Sequence, residues 1–255
     1  MTYRNLFNLT DKVVLISGAA GGLAGETCLG MADFGATLFL ADIDQIGLTR
    51  ISDKLEKTGR SIASQAVDIT DTLSVESLMN AVGDRFGRLD VMINFAGVGW
   101  RTPIESIDFD EFQRVININL IGSFLLVKHS LPLMVPHRSG KMILCGSVSG
   151  QIGRPYVAHY SASKGGVHAM VRTMAVELAQ HNIQINAVAP AFTMTQMTTE
   201  ILADPEVKQS IVNTIPMGRL GLASDLVGTM MLLAGRGSDF ITGQTFFVDG
   251  GCTAS

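Results

Sequence analysis

Short apolar runs rich in β-branched residues alternate along the chain with longer stretches whose apolar positions recur at helical spacing. The runs at 12–16 (KVVLI), 37–41 (TLFLA), 61–67, 91–95, 141–145, 184–188 and 245–248 predict seven strands. Helical periods fill the gaps: from a glycine-rich turn to about 34, from 43 to about 58 with Gly59 as the expected cap, and at 74–86, 109–134, 159–181 and 224–233. Parallel neighbours need crossover helices, so this alternation predicts an α/β fold, a doubly wound and mostly parallel sheet. No linker or repeat divides residues 1–255, which read as one domain. The stretch 191–215, with its TMTQMTTE run, breaks the alternation directly after a strand end. Ligand crevices in open α/β sheets lie outside such ends, so the segment is expected to form a substrate lid or a packed surface excursion.

Composition narrows the class. With 47% hydrophobic and 16% charged residues the chain can bury a large core, and disorder is excluded. A net charge of −4 without a basic run leaves no footprint for nucleic acid. Cys28, Cys145 and Cys252 are odd in number and scattered, which argues against a disulfide framework and fits a reducing cytosol. Residues 1–11 lack the build of a signal peptide, and the apolar stretch 123–135 is broken by Lys128, His129 and Pro132. The expectation is a cytoplasmic protein with neither nucleic-acid nor membrane partners.

The turn Ser17-Gly18-Ala19-Ala20-Gly21-Gly22-Leu23 stands between the first strand and the first helix. Glycines there let backbone N–H groups at a helix N-terminus approach a pyrophosphate, which makes a dinucleotide-binding (Rossmann) domain the expected form. Asp42 closes the second strand, where a carboxylate accepts hydrogen bonds from the adenosine ribose hydroxyls and repels a 2′-phosphate. No Lys or Arg lies in the glycine turn or just after Asp42, so the expected cofactor is NAD rather than NADP. Asp44 is the better candidate to cap the following helix.

Moving a hydride between an alcohol carbon and a nicotinamide needs a group that moves the hydroxyl proton. A free phenol ionises near ~10, but an ammonium four residues on along the same helix face stabilises its phenolate. Tyr160 and Lys164 have that spacing; Tyr156 has no such lysine. Ser147, after the fifth strand, can hold a substrate oxygen in line with the tyrosine hydroxyl. Each feature alone has an ordinary alternative: the pair is common on helices, Ser147 could cap a strand end, and Asn119 could bond a helix backbone. Their joint order carries the catalytic reading. The histidines show no metal-ligand spacing, so no metal is expected. Most methionines read as core filler, with Met194 and Met197 as candidate pocket residues.

These motifs resemble the short-chain dehydrogenase/reductase family over essentially the whole chain. The glycine turn resembles Thr-Gly-x-x-x-Gly-x-Gly with Gly18 and Gly22 in register; Asn94-Phe95-Ala96-Gly97 resembles Asn-Asn-Ala-Gly; Asn119 falls on the helix asparagine; Tyr160 and Lys164 fit Tyr-x-x-x-Lys; Pro190 to Thr195 and Asp249-Gly250-Gly251 fit the later turns. Ser17, Ala24, Phe95 and Ala191 depart from the pattern without touching a proton-transferring group. The resemblance implies a catalytic set of Asn119, Ser147, Tyr160 and Lys164, with Asn119 anchoring a water that links Lys164 to solvent. It implies cofactor contacts from Gly18, Gly22, Leu23, Asp42, Asp68, Ile69, Asn94, Ala96, Tyr160, Lys164, Pro190, Thr193 and Thr195, and a homotetramer.

Within the family, Arg101-Thr102-Pro103, Gly153-Arg154 and the Leu-Phe-Asn-Leu-Thr opening resemble gluconate 5-dehydrogenases and other sugar-acid dehydrogenases. The small-molecule substrate is then a secondary alcohol or ketone such as a sugar acid or polyol, bound by Arg101, Ser147, Arg154 and Tyr160. Acyl-carrier-protein ketoreductases and hydroxysteroid dehydrogenases are the alternatives within the family. A non-catalytic dinucleotide-binding redox sensor is the alternative outside it, and the intact Ser/Tyr/Lys/Asn set argues against that.

Overall fold

The computed structural model describes residues 3–57, 59, 62–199 and 201–254. Its centre is a seven-stranded sheet in the order β3-β2-β1-β4-β5-β6-β7, with every pair parallel. The strands are β1 (Val13–Ser17), β2 (Thr37–Asp42), β3 (Ile62–Ala66), β4 (Val91–Asn94), β5 (Gly140–Cys145), β6 (Ile183–Pro190) and β7 (Thr245–Val248). Each expected strand is present within a few residues, and the sheet is wholly parallel where a mostly parallel one was expected.

Crossover helices cover both faces: α1 (Ala24–Asp33), α2 (Gln45–Glu56), α3 (Thr72–Phe86), α4 (Phe109–Ile116), α5 (Gly122–Met134) and α6 (Ala158–Leu178). Short α7 (Gln196–Thr199), α8 (Pro205–Val212) and then α9 (Ala223–Ala234) complete the chain. Strand side chains alternate between faces, so Val13 and Leu15 join the core under α3, α5 and α6, while Val14 and Ile16 join the core under α1 and α9. Asp44 caps α2 as expected, its Oδ1 accepting from the Ile46 N–H at 3.1 Å. The helix itself stops at Glu56, so Gly59 (φ +70°) lies beyond the end it was expected to cap.

The expected helix 109–134 is interrupted by a π-helical turn at Asn117–Ile121. The continuous helical stretch Phe109–His137 is long and apolar enough to cross a membrane by length and composition. Leu125, Leu126, Val127 and Met134 instead pack in the first core. The segment 191–215, expected to form a lid or a packed surface excursion, is largely helical, and Ile211, Ile215 and Leu220 form a small core of their own with Phe192, Ile201 and Leu202.

The strand order reverses between β1 and β4, whose connections leave toward opposite sides. That divergence opens a crevice at their carboxyl ends. The glycine turn, Asp42 and the turn after β4 all emerge there.

Candidate active site

The crevice is a cleft of about 850 Å³ whose wall includes Gly18, Gly22, Leu23, Asp42, Asp68, Ile69, Ala96 and Thr195. Gly18 has φ +71°, and a Cβ there would lie 2.3 Å from the Ala96 nitrogen. The glycine turn and the turn after β4 therefore pass backbone to backbone, as a pyrophosphate cradle requires. Asp42 ties the far end, Oδ2 accepting from the Ala20 N–H at 2.9 Å and Oδ1 from the Asp44 N–H at 3.0 Å. Asp42, Asp44, Asp68 and Asp110 face the cleft against one basic residue, Arg114, a charge balance unfavourable to an extra phosphate. This cradle fits a dinucleotide.

Asn94 does not line the cleft. It is buried beneath it, accepting from the Ser17 hydroxyl (2.8 Å) and the Ala96 N–H (2.9 Å) and donating to the Ser123 hydroxyl (2.9 Å). Its contribution is to fix the turn. The Ser17 hydroxyl, retained where the family pattern has Thr, makes one of these bonds. Pro190 and Thr193 likewise lie outside the cleft wall and line the adjoining cavity instead, while Leu23 and Thr195 border both.

That second cavity holds about 160 Å³ and is walled by Ser147, Tyr160, Arg101, Arg154, Trp100 and Phe192, among others. Ser147 stands two residues past β5, its hydroxyl accepting from the Ser149 N–H at 3.1 Å. Tyr160 and Lys164 occupy successive turns of α6, with the ammonium 5.7 Å from the phenol ring centroid. Lys164 is buried and donates to the Cys145 carbonyl at 2.7 Å. Asn119, within the π-helical turn, exchanges two 2.8 Å bonds with the Val98 backbone and donates to the Ser163 hydroxyl at 3.0 Å. A methyl on Gly97 would sit 3.1 Å from Asn119 Oδ1 and 3.4 Å from Lys164 Nζ, so the glycine keeps the space between them open. The four residues expected to act together are thus drawn from β5, α6 and the α4–α5 junction into one region.

Neither Arg101 nor Arg154 pairs with the nearby acids Glu105 and Asp108. Arg101 stacks over exposed Tyr156 at 5.6 Å, and Arg154 stacks over Phe192 at 5.6 Å. Arg154 Nη2 donates to Cys252 Sγ at 2.7 Å and its buried Nε has no hydrogen-bond partner among the described residues. Met194 is half-exposed and absent from the cavity wall, contrary to expectation, and the side chain of Met197 lies outside the described residues.

Two buried histidines escaped the sequence reading. His168, one turn beyond Lys164, offers Nε2 to the Ser147 N–H at 3.4 Å, and a Cβ on Gly146 would lie 2.4 Å from that ring. Burial, then the charges of Lys164 and Arg172, push its imidazole down to about 4. His159, beside Tyr160, places Nε2 2.9 Å from Glu111 Oε1. Only the spacing of His168 from Lys164 could have flagged either one, since their partners come from other elements.

Comparison with known proteins agrees with this arrangement. The family described as enoyl-(acyl carrier protein) reductase matches residues 18–253. The chain is 34% identical to a 3-oxoacyl-[acyl-carrier-protein] reductase of Thermotoga maritima, covering 95% of this chain and 98% of that protein. It is 31% identical to gluconate 5-dehydrogenase of Gluconobacter oxydans over the full length of both. The crystal structure of a gluconate 5-dehydrogenase from Burkholderia cenocepacia, in complex with NADP and tartrate, superposes with a TM-score of 0.94 at 28% identity, covering 98% of each chain. The chain belongs to the short-chain dehydrogenase/reductase family and is an oxidoreductase acting on CH–OH groups with a nicotinamide cofactor.

Proposed function

We propose that this protein interconverts a small hydroxy acid of the sugar-acid type and its ketone, with NAD as the preferred cofactor. The observation that carries the substrate reading is Arg154: a guanidinium in the wall that also holds Ser147 and Tyr160, met by a thiol, a hydroxyl and an aromatic face but, among the described residues, by no carboxylate. A substrate carboxylate would satisfy it with charge-assisted hydrogen bonds, and Arg101 at the same wall would add a second contact. The likeness to gluconate 5-dehydrogenases supports the same class. Asp42 and its acidic neighbours support NAD over NADP.

In alcohol oxidation the Tyr160 phenolate takes the hydroxyl proton, Ser147 holds the oxygen, and Lys164 stabilises the phenolate and binds the nicotinamide ribose. A nicotinamide held there would supply the hydride chemistry, accepting a hydride in oxidation and giving one in reduction. Gly18, Gly22, Leu23, Asp42, Asp68, Ile69 and Ala96 hold the dinucleotide, with Pro190, Thr193 and Thr195 at its nicotinamide end and Asn94 fixing the turn beneath. Residues 191–215 serve as the lid over the cavity. The protein acts in the cytoplasm, without nucleic-acid or membrane partners. It assembles as a homotetramer, a reading supported by apolar side chains left exposed on α4 and α5 (Phe109, Phe112, Phe124) and near β7 (Phe240).

An acyl-carrier-protein reductase is the second reading, favoured by the apolar wall of Val148, Val157, Phe192 and Ile201 and by the Thermotoga maritima relative. The test is turnover of D-gluconate, xylitol and cyclohexanol, and reduction of acetoacetyl thioester, each with NAD(H) and NADP(H), on wild type and Arg101→Ala. The proposal expects gluconate and NAD to be preferred, with KM for the acid raised most by the substitution. Preference for the thioester with NADPH moves the assignment to the second reading.

A further inference from the structure

The loop after β4 carries Gly99, Trp100 and Arg101 into the cavity wall, and it lies hard against the catalytic tyrosine. A Cβ on Gly99 would lie 2.8 Å from Cδ2 of the Tyr160 ring. Any drift of this loop therefore changes both the shape of the cavity and the space around the phenol.

What holds the loop is α4. Thr102 donates its hydroxyl to Glu111 Oε1 at 2.6 Å. Arg114, one turn further along the same helix, stacks over the Trp100 ring at 5.1 Å. The same oxygen of Glu111 lies 2.9 Å from Nε2 of His159, the residue immediately before Tyr160. His159 is fully buried and neither ring nitrogen is hydrogen-bonded among the described residues, so the 2.9 Å approach of Glu111 Oε1 to Nε2 is a close polar contact rather than a directed hydrogen bond. On the loop's other side the Thr102 N–H donates to the Tyr156 carbonyl at 2.8 Å, where Tyr156 has φ +69°. A left-handed backbone at a non-glycine residue is strained and persists only where its surroundings hold it.

We propose that Glu111 is a positioning residue for hydride transfer, a single carboxylate oxygen that clamps the substrate loop to the start of the helix bearing Tyr160. Glu111 lines neither the dinucleotide cleft nor the substrate cavity, so it acts through Thr102 and His159. The inference depends on Tyr160 being the proton-transferring group and is independent of which alcohol is the substrate.

Trp100 is the single tryptophan of the chain and sits in the clamped loop, so its emission reports loop position without substrate or cofactor. The experiment compares acrylamide quenching of Trp100, NADH binding, and kcat and KM for D-gluconate and cyclohexanol. The proteins are wild type, Glu111→Ala, Glu111→Gln and, as a control on the exposed neighbouring turn, Glu105→Ala. Glu111→Ala is expected to raise the quenching constant about twofold and lower kcat about tenfold for whichever alcohol is turned over, with NADH affinity within about twofold of wild type. Glu111→Gln keeps an acceptor oxygen and should recover to within about threefold of the wild-type kcat. Glu105→Ala should match wild type.

Thr102→Val should reproduce the quenching change and add little to Glu111→Ala when the two are combined, since both cut one link. It also carries the test if Glu111→Ala does not fold. Wild-type kcat in a Glu111→Ala protein with a freed Trp100 overturns the proposal, as does a lost kcat with unchanged quenching. Failure of every acid substrate would instead count against the proposed substrate class and leave this comparison intact.

Discussion

The dinucleotide cleft and the cavity holding Tyr160 meet at Leu23 and Thr195 but are made differently. The cleft is a backbone object: Gly18 passes so close to the Ala96 main chain that a Cβ there would lie 2.3 Å from its nitrogen, and Asp42 answers main-chain N–H groups of Ala20 and Asp44. Its parts are short, local in sequence and placed by the ends of β1, β2 and β4. The cavity is a side-chain object, assembled from the loop after β4, the segment after β5, α6 and the segment after β6. Its walls are held by contacts between distant residues, such as Arg154 with Cys252 and Arg101 with Tyr156. A backbone site constrains the sequence tightly and specifies one ligand class; a side-chain site constrains it loosely and lets one fold serve many substrates.

The sharpest way to break this contrast is to give the cleft a side chain it has no room for. Gly18→Ala would place a methyl 2.3 Å from a main-chain nitrogen in a left-handed conformation, and nothing there is a flexible tip that can yield. NADH affinity should fall by about a hundredfold or more, with a lower melting temperature. Gly25→Ala, where a Cβ meets nothing within 4 Å, should instead leave NADH binding intact and stabilise α1 by up to about 1 kcal/mol. Calorimetric titration of NADH against both variants decides it; equal effects would mean that the close approach at Gly18 is not what builds the site.

A smaller effect probes the seam between the two regions. His168 is held neutral, with its pKa pushed from 6.5 down to about 4, first by burial and then by Lys164 and Arg172. The unfolded chain takes up this proton between those values and the folded chain does not. Stability therefore falls as pH drops through that window and is independent of this group above it. Urea unfolding at pH 7 and pH 4.5 should show His168 contributing a loss of about 2–3 kcal/mol. His168→Gln, which keeps an acceptor for the Ser147 N–H, should flatten that part of the curve. An unchanged pH slope in the variant would contradict the buried neutral imidazole.

The same contrast explains what could be read before the fold was seen. Strand and helix order, Gly18, Gly22, Asp42 and the Tyr160–Lys164 pair follow from period, turn chemistry and spacing, all of which are local. Asn94 was placed in the right turn, yet its inward role depends on Ser17 and Ser123, which the sheet brings from elsewhere. His168, His159 and Glu111 left no local signal, because each matters through a partner on another element. Arg101 and Arg154 can be assigned from sequence to the segments after β4 and β5, but their stacking on Tyr156 and Phe192, rather than pairing with nearby acids, is a tertiary outcome. The Met194 expectation failed because a threonine- and methionine-rich segment carries no period to say which face turns inward.

On the proposed mechanism, binding and proton transfer are separable at Tyr160, which lines the cavity and not the dinucleotide cleft. The most direct test is to titrate NADH by fluorescence and measure alcohol oxidation on the same preparation of Tyr160→Phe. Removing one hydroxyl leaves the cradle of Gly18, Asp42 and Lys164 untouched, so NADH should bind within about threefold of wild type while turnover falls by about a thousandfold or more. Turnover above about a tenth of wild type, or NADH affinity lost in step with activity, would contradict it.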